Sequence, residues 1–210
     1  MRGGRRHEES AFDAIRERLF SLASSHQSLD GAMVVAFVSR TRREGVTSTL
    51  LGLAESVARN GTLRTLLISC DTGPRGASSR LGLDSHVATD PSTLATNVCV
   101  AGAGGFDVLT LSPSMPSGFS GGSAWTTAFH DLAKQYQVVL IDAGSLSEPL
   151  AARWNRLANL LVLVIDTTRT TEEELKRLNL ESQAGGRRVD AVILAKRRYP
   201  VPAFLYRYVT

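Results

Sequence analysis

Six stretches of the chain are apolar almost without interruption: MVVAFV at 33–38, TLLIS at 65–69, FDVLTL at 106–111, QVVLID at 137–142, LLVLVID at 160–166 and VDAVILA at 189–195. A strand with one wet face alternates apolar and polar residues, whereas a strand covered on both faces does not. Between these runs lie stretches with helical period. Phe12, Ile15, Leu19 and Leu22 make one stripe ending near Ser24. Leu50, Leu51, Ala54, Val57 and Ala58 make another, closed by Asn60-Gly61, and Trp125, Phe129, Leu132 and Tyr136 a third. Pro149 reads as the first residue of a further helix, and Thr171 with Glu174 as a capping box for one running to 184–185. Buried strands separated by amphipathic helices define the fold class: α/β, doubly wound, a mostly parallel sheet with helices on both faces. A chain of 210 residues, 43% hydrophobic, suits one domain with a sizeable core. That domain is expected over 9–210, after a basic, glycine-containing start at 1–8 expected to be disordered. Residues 72–105 are rich in Gly, Ser, Thr and Asp and carry little period, with STLATNV inside them readable as a short helix.

Several classes are disfavoured. The two cysteines, Cys70 and Cys99, show no CxxC spacing and no secretory signal precedes them, so a reducing, cytoplasmic setting without a structural disulfide or metal site is expected. No apolar run reaches the roughly 18 residues of a spanning helix. The net charge is +4, with arginines clustered at 2–6, 40–43 and 187–198. That pattern suits acidic lipid, nucleic acid or an acidic partner, and equally a set of solvated arginines.

In a doubly wound sheet ligands sit beyond the carboxyl ends of the strands, here the loops after Val38, Ile68, Leu111, Ile141, Ile165 and Leu194. The first of these, SRTRREGVTST, joins a strand to a helix and places Gly45 before Thr47. A phosphate loop, G-x-x-x-x-G-K-[ST], has this layout: backbone N–H groups and a helix N-terminus cradle phosphate, a Lys reaches its oxygens, and the hydroxyl holds Mg²⁺. The candidate phosphate-binding residues are therefore Arg42, Arg43, Glu44, Gly45, Val46, Thr47 and Ser48, with Val46 at the Lys position and Arg40 at the first Gly. An ordinary turn capped by Thr or Ser is the plainer reading. Strand ends supply the candidate acids Asp71 and Asp142, which a phosphate-transferring site would use for Mg²⁺ and for orienting the attacking group. Asp142 also suits a turn cap, and Asp166 a turn approaching a helix. If Mg²⁺ binds, Thr47 and Asp142 would hold it.

Taken in order, these motifs resemble the bacterial tyrosine autokinases of exopolysaccharide and capsule synthesis, within the wider MinD/ParA-like P-loop group, over residues 11–208. The family's S-x-x-P-G-x-G-K-[ST] lies over 39–47, its strand ending D-x-D over LLISCD, and its YDVVIID-like strand over YQVVLID. RLGL at 80–83 and the tail AVILAKRRYPVPAFLYRY are also similar. The departures fall where the family's chemistry lies. Pro-Gly is Arg42-Arg43, the Lys is Val46, the first Asp of D-x-D is Ser69, two prolines are Gly144-Ser145, and the Asn after the last strand is Ala195.

The resemblance with these losses implies a non-catalytic domain with no cofactor, assisting an inner-membrane polysaccharide co-polymerase in making or exporting an exopolysaccharide, and peripheral to that membrane through its partner. Self-association would use the N-terminal helix, although residues 10–13 depart from the family's E-A-x-R-like motif. The tail tyrosines Tyr206 and Tyr208, with Tyr199 nearby, are the candidate phosphosites. One alternative is an active ATP- and Mg²⁺-dependent protein-tyrosine autokinase in which Arg42 or Arg43 replaces the Lys. Another is a ParA-like nucleic-acid-associated ATPase. Thr41, standing where that group has a signature Lys, argues against nucleic acid as a partner, and the tail lacks the long amphipathic face of a MinD-like membrane helix.

Overall fold

The computed structural model describes residues 2–24, 31–61, 63–83, 87–101, 105–112, 124–146, 148, 151, 154, 156–177 and 189–196, with side chains from residue 9 onward in the first helix. The element order is α1 (Arg2–Ala23), β1 (Met33–Ser39), α2 (Val46–Arg59), β2 (Thr65–Ser69), α3 (Ala77–Arg80), β3 (Val87–Ala88), a 3₁₀ turn (Pro91–Thr93), β4 (Val98–Ala101), β5 (Phe106–Leu111), α4 (Ala124–Ala133), β6 (Val138–Ser145), β7 (Leu160–Asp166) and β8 (Ala191–Ala195). The strands form one sheet in the order β3-β5-β2-β6-β1-β7-β8, with β4 also paired to β5. Every pairing is parallel except β4 with β5. Since β2 occupies one edge of β5, the other is shared. There β4 takes residues 106–109 and β3 takes 110–111.

The continuous apolar runs have the expected cause, because residues of both parities are buried. Val34, Ala36 and Val38 of β1 face a core with Trp125, Phe129, Leu132, Tyr136 and Trp154, while Val35 and Phe37 face a second with Leu50, Leu53 and Val57 of α2. Phe37 and Leu50 are 0% exposed. Truncating a side chain so enclosed typically costs about 2–5 kcal/mol.

Helix α1 packs against α2, and the close approach depends on Gly52. A Cβ there would stand 2.3 Å from the Phe12 ring. Polar groups fix the pairing. Asp13 Oδ1 accepts from Ser56 Oγ at 2.6 Å and Arg16 at 3.1 Å, and Arg16 also donates to the Ser56 carbonyl. α1 starts at Arg2, which corrects the expectation of disorder over 1–8. Arg and Glu at 5, 6, 8 and 9 are good helix formers and extend the turns that Leu19 anchors.

STLATNV is not an α-helix. Asp90 caps a single 3₁₀ turn by accepting the Ser92 N–H at 2.9 Å, and the chain then turns into β4. β6 runs three residues past Asp142, across a register shift that pairs Ser145 with Ser39. The capping box at Thr171 is present: Thr171 N–H donates to Glu174 at 2.9 Å and the Glu174 N–H returns to Thr171 Oγ1 at 3.3 Å, with helix at 172–177. Ala151, Trp154, Arg156 and Leu157 are helical, where a helix opening at Pro149 is expected; Pro149 itself, the end of the helix after Thr171, and Tyr199, Tyr206 and Tyr208 lie outside the described residues. Among the described residues no helix is long and apolar enough to cross a membrane.

Candidate phosphate-binding cleft

At the carboxyl ends of β1, β2 and β6 lies a cleft of about 1200 Å³. Its first wall is the loop between β1 and α2. Ser39, buried at the strand end, donates to the Thr41 carbonyl at 2.8 Å, and Ser145 Oγ donates to the Arg40 carbonyl at 2.7 Å, stitching the loop to β6. Glu44 is buried behind the loop. Its carboxylate accepts from Thr41 Oγ1 at 2.7 Å and from the backbone N–H groups of Thr41 and Arg40 at 3.1 and 3.3 Å. Arg40 leads away from the cleft to Glu174 at 2.9 Å, tying the loop to the helix after β7.

Gly45 begins α2 with φ 108° and supplies no side-chain cap. The first N–H groups of α2 therefore lack the usual side-chain acceptor, in the arrangement that suits an anion. Arg43 holds φ 74°, a left-handed backbone that an L side chain adopts at a cost. Lys196, directly after β8, braces this turn by donating to the Arg43 carbonyl at 2.6 Å and to buried Asp166 at 2.8 Å. With the Lys196 ammonium foremost and Thr168 second, the Asp166 carboxyl is held down at about 2.

The floor is formed by Val46, Thr47 and Asp142. Val46 is 7% exposed and packs with Val35, Phe37 and Leu50 in the second core. Thr47 Oγ1 donates to Asp142 Oδ2 at 2.6 Å, and the Gly144 N–H approaches Oδ1 at 3.3 Å. Burial pushes the Asp142 carboxyl above its ordinary range despite these hydrogen bonds. Ser69, which pairs in register with Asp142, is 0% exposed and offers a hydroxyl in place of a second carboxylate. Burial also raises the Cys70 thiol to about 12.

The opposite wall follows β2. Asp71 Oδ1 accepts the Gly73 N–H at 2.9 Å, and Arg80 Nη1 reaches across to Ser48 Oγ at 2.9 Å. Gly76 is required here, since a Cβ would lie 2.0 Å from the Asp71 carbonyl oxygen. Of the residues expected from sequence, Arg42, Arg43, Gly45, Val46, Thr47, Ser48, Asp71 and Asp142 all line this one cleft, while Glu44 serves behind it. Sequence reasoning missed Arg75, Arg80, Glu148 and Lys196, which also line it. Lys196 could have been found, because it stands in one of the strand-end loops where ligands gather.

Tested against Mg·ATP, the cleft is a partial fit. Thr47 and Asp142 could hold a metal ion, but the side chain at the position of the phosphate-binding Lys is a valine packed into the core. A parallel doubly wound sheet with a strand-loop-helix anion cradle at β1 defines a P-loop nucleotide-hydrolase-like fold. That fold is the one found in bacterial tyrosine kinase domains. The chain is similar to the kinase domain of VpsO (24% identity, TM-score 0.68, covering 94% of this chain and 100% of that one). It is also similar to the kinase domain of the Escherichia coli tyrosine kinase ETK (19%, 0.66, 92% and 80%) and to the MinD cell division protein of Aquifex aeolicus (16%, 0.62, 84% and 73%). No protein-family model matches the chain, and no curated protein matches it.

Proposed function

We propose that the chain is a non-catalytic domain on the tyrosine-kinase fold, acting in the cytoplasm as the partner of an inner-membrane polysaccharide co-polymerase. One observation carries the non-catalytic reading: at the Lys position Val46 is packed beside Leu50 and Phe37 in the core. Phosphoryl transfer depends almost wholly on positioned charge, and losing one such contact typically costs on the order of 10²- to 10³-fold in rate. Ser69, buried beside Asp142, removes a second. The polysaccharide role rests on the motif resemblance, supported by a fold that matches a tyrosine kinase domain along its whole length.

Incubation of the purified chain with labelled Mg·ATP tests the first part, with no incorporation expected. Label that disappears in Tyr206→Phe/Tyr208→Phe would overturn it. In cells, deleting residues 199–210 from a chain that still folds is expected to lower polymer output and membrane co-purification, and Asp142→Ala to leave both unchanged. The reverse pattern would place the function in the cleft.

A second reading, an active ATP-dependent autokinase, draws on the Thr47–Asp142 pair at 2.6 Å, which preserves the two groups that would hold Mg²⁺. The same labelling experiment decides between the two.

A further inference from the structure

Arg42 and Glu148 come from separate loops and meet at the cleft that both of them line, where Arg42 Nε donates to Glu148 Oε1 at 2.9 Å. The acid is held by its own backbone: its N–H donates to the Ser145 carbonyl at 2.9 Å, and its carbonyl accepts the Ala151 N–H at 3.1 Å. Its other carboxylate oxygen lies over Gly144, which has φ 75°. A Cβ there would stand 2.9 Å from Glu148 Oε2, so a side chain at 144 would displace the acid. Arg42 and Gly144 each stand where the motifs this chain resembles carry proline, and the two departures serve one contact. The pair stands close to the cleft floor, since the Glu148 charge bears on both Asp142 and Cys70.

The loop is fixed on either side of Arg42. Arg40 pairs with Glu174 at 2.9 Å and its carbonyl accepts from Ser145 Oγ at 2.7 Å, while the Arg43 carbonyl accepts from Lys196 at 2.6 Å. The Arg42 side chain itself is 82% exposed. An ion pair so wet is weak and screened by salt, so it can part without unfolding what surrounds it. We propose that the Arg42–Glu148 pair is a latch that joins the β1–α2 loop to the turn after β6 and bars the cleft floor, opening while the rest of the fold stays intact. The proposal rests on the non-catalytic reading and adds a regulation to it: the chain's own charges, rather than a ligand, keep the cleft closed.

Cys70 reports the opening, because it lines the same cleft. The full chain is treated with N-ethylmaleimide, an uncharged probe, and modification of the Cys70 peptide is followed by mass spectrometry. At low salt Arg42→Ala and Glu148→Gln should each speed labelling about two- to fivefold, the range an exposed pair supports, and the double variant no more than either alone. Sodium chloride at about 1 M should speed the parent protein but neither variant. The swap Arg42→Glu/Glu148→Arg should return the rate toward the parent's, and Lys134→Ala on α4 should leave it unaltered. Removing a positive charge disfavours a thiolate, so faster labelling of Arg42→Ala reads access and not acidity. Unchanged rates in both single variants, additive effects, equal acceleration of parent and variants by salt, or acceleration that only follows a fall in the urea midpoint would overturn the latch. Incorporation of labelled phosphate from Mg·ATP would instead sink the non-catalytic reading, so the two failures are read separately.

Discussion

Arg43 shows a conflict between backbone and charge confined to one residue. Its φ of 74° is costly for an L side chain, by about 1–2 kcal/mol, whereas glycine adopts it freely. Such strain persists where the surrounding structure enforces it, here through the Lys196 bond to the Arg43 carbonyl. Arg43→Gly should therefore raise the urea midpoint by an amount equivalent to as much as ~1 kcal/mol, after the greater freedom of glycine in the unfolded chain is discounted. A loss of stability instead would show that the guanidinium holds the loop. The sequence revealed the arginines at 42 and 43 because they interrupt a recognisable motif. It did not reveal Arg75 and Arg80, which only the fold brings to the same cleft, with Arg80 reaching Ser48.

At the scale of elements, the ends of β7 and β8 are joined to the phosphate loop through Asp166, Lys196 and the Arg43 carbonyl. Asp166 titrates at about 2 when folded, against an ordinary value of 3.8. A carboxylate depressed in this way adds stability that is complete above its unfolded pKa and is lost as pH falls through its folded one. Asp166→Asn should accordingly lower the urea midpoint at pH 6, by an amount that shrinks steadily between pH 4 and pH 2. A gap of the same size at pH 6 and at pH 2 would assign the effect to packing. Elements buried on both faces were legible as apolar runs, and the capping box as Thr171 with Glu174. β3 and β4 were not, because Val87 is 38% and Val100 69% exposed and neither strand is long enough to show a period. The extension of β6 was hidden for another reason. Ala143-Gly144-Ser145 has the composition of a loop, and only pairing with Ser39 across a register shift makes it strand.

For the whole molecule, stability should be graded from the middle of the sheet outward. β6, β1 and β2 are flanked on both sides and covered by both cores, whereas β8 and the β3–β4 pair form the borders. Native-state hydrogen exchange should show the slowest amides at 34–38, 66–68 and 139–141, and the fastest strand amides at 87–88 and 191–195. Uniform protection would point to a single cooperative unit. The parallel class was readable from sequence, but the strand order was not, since runs of similar composition do not say which neighbours which. That order bears on how the chain is made. β1 leaves the ribosome well before both of its neighbours, β6 and β7, which come from residues 138–166, and before Lys196, which braces its loop. Throughout that interval a nascent chain carries an apolar strand with both edges vacant, so the half-made protein is a natural client for a chaperone that binds extended hydrophobic segments during translation.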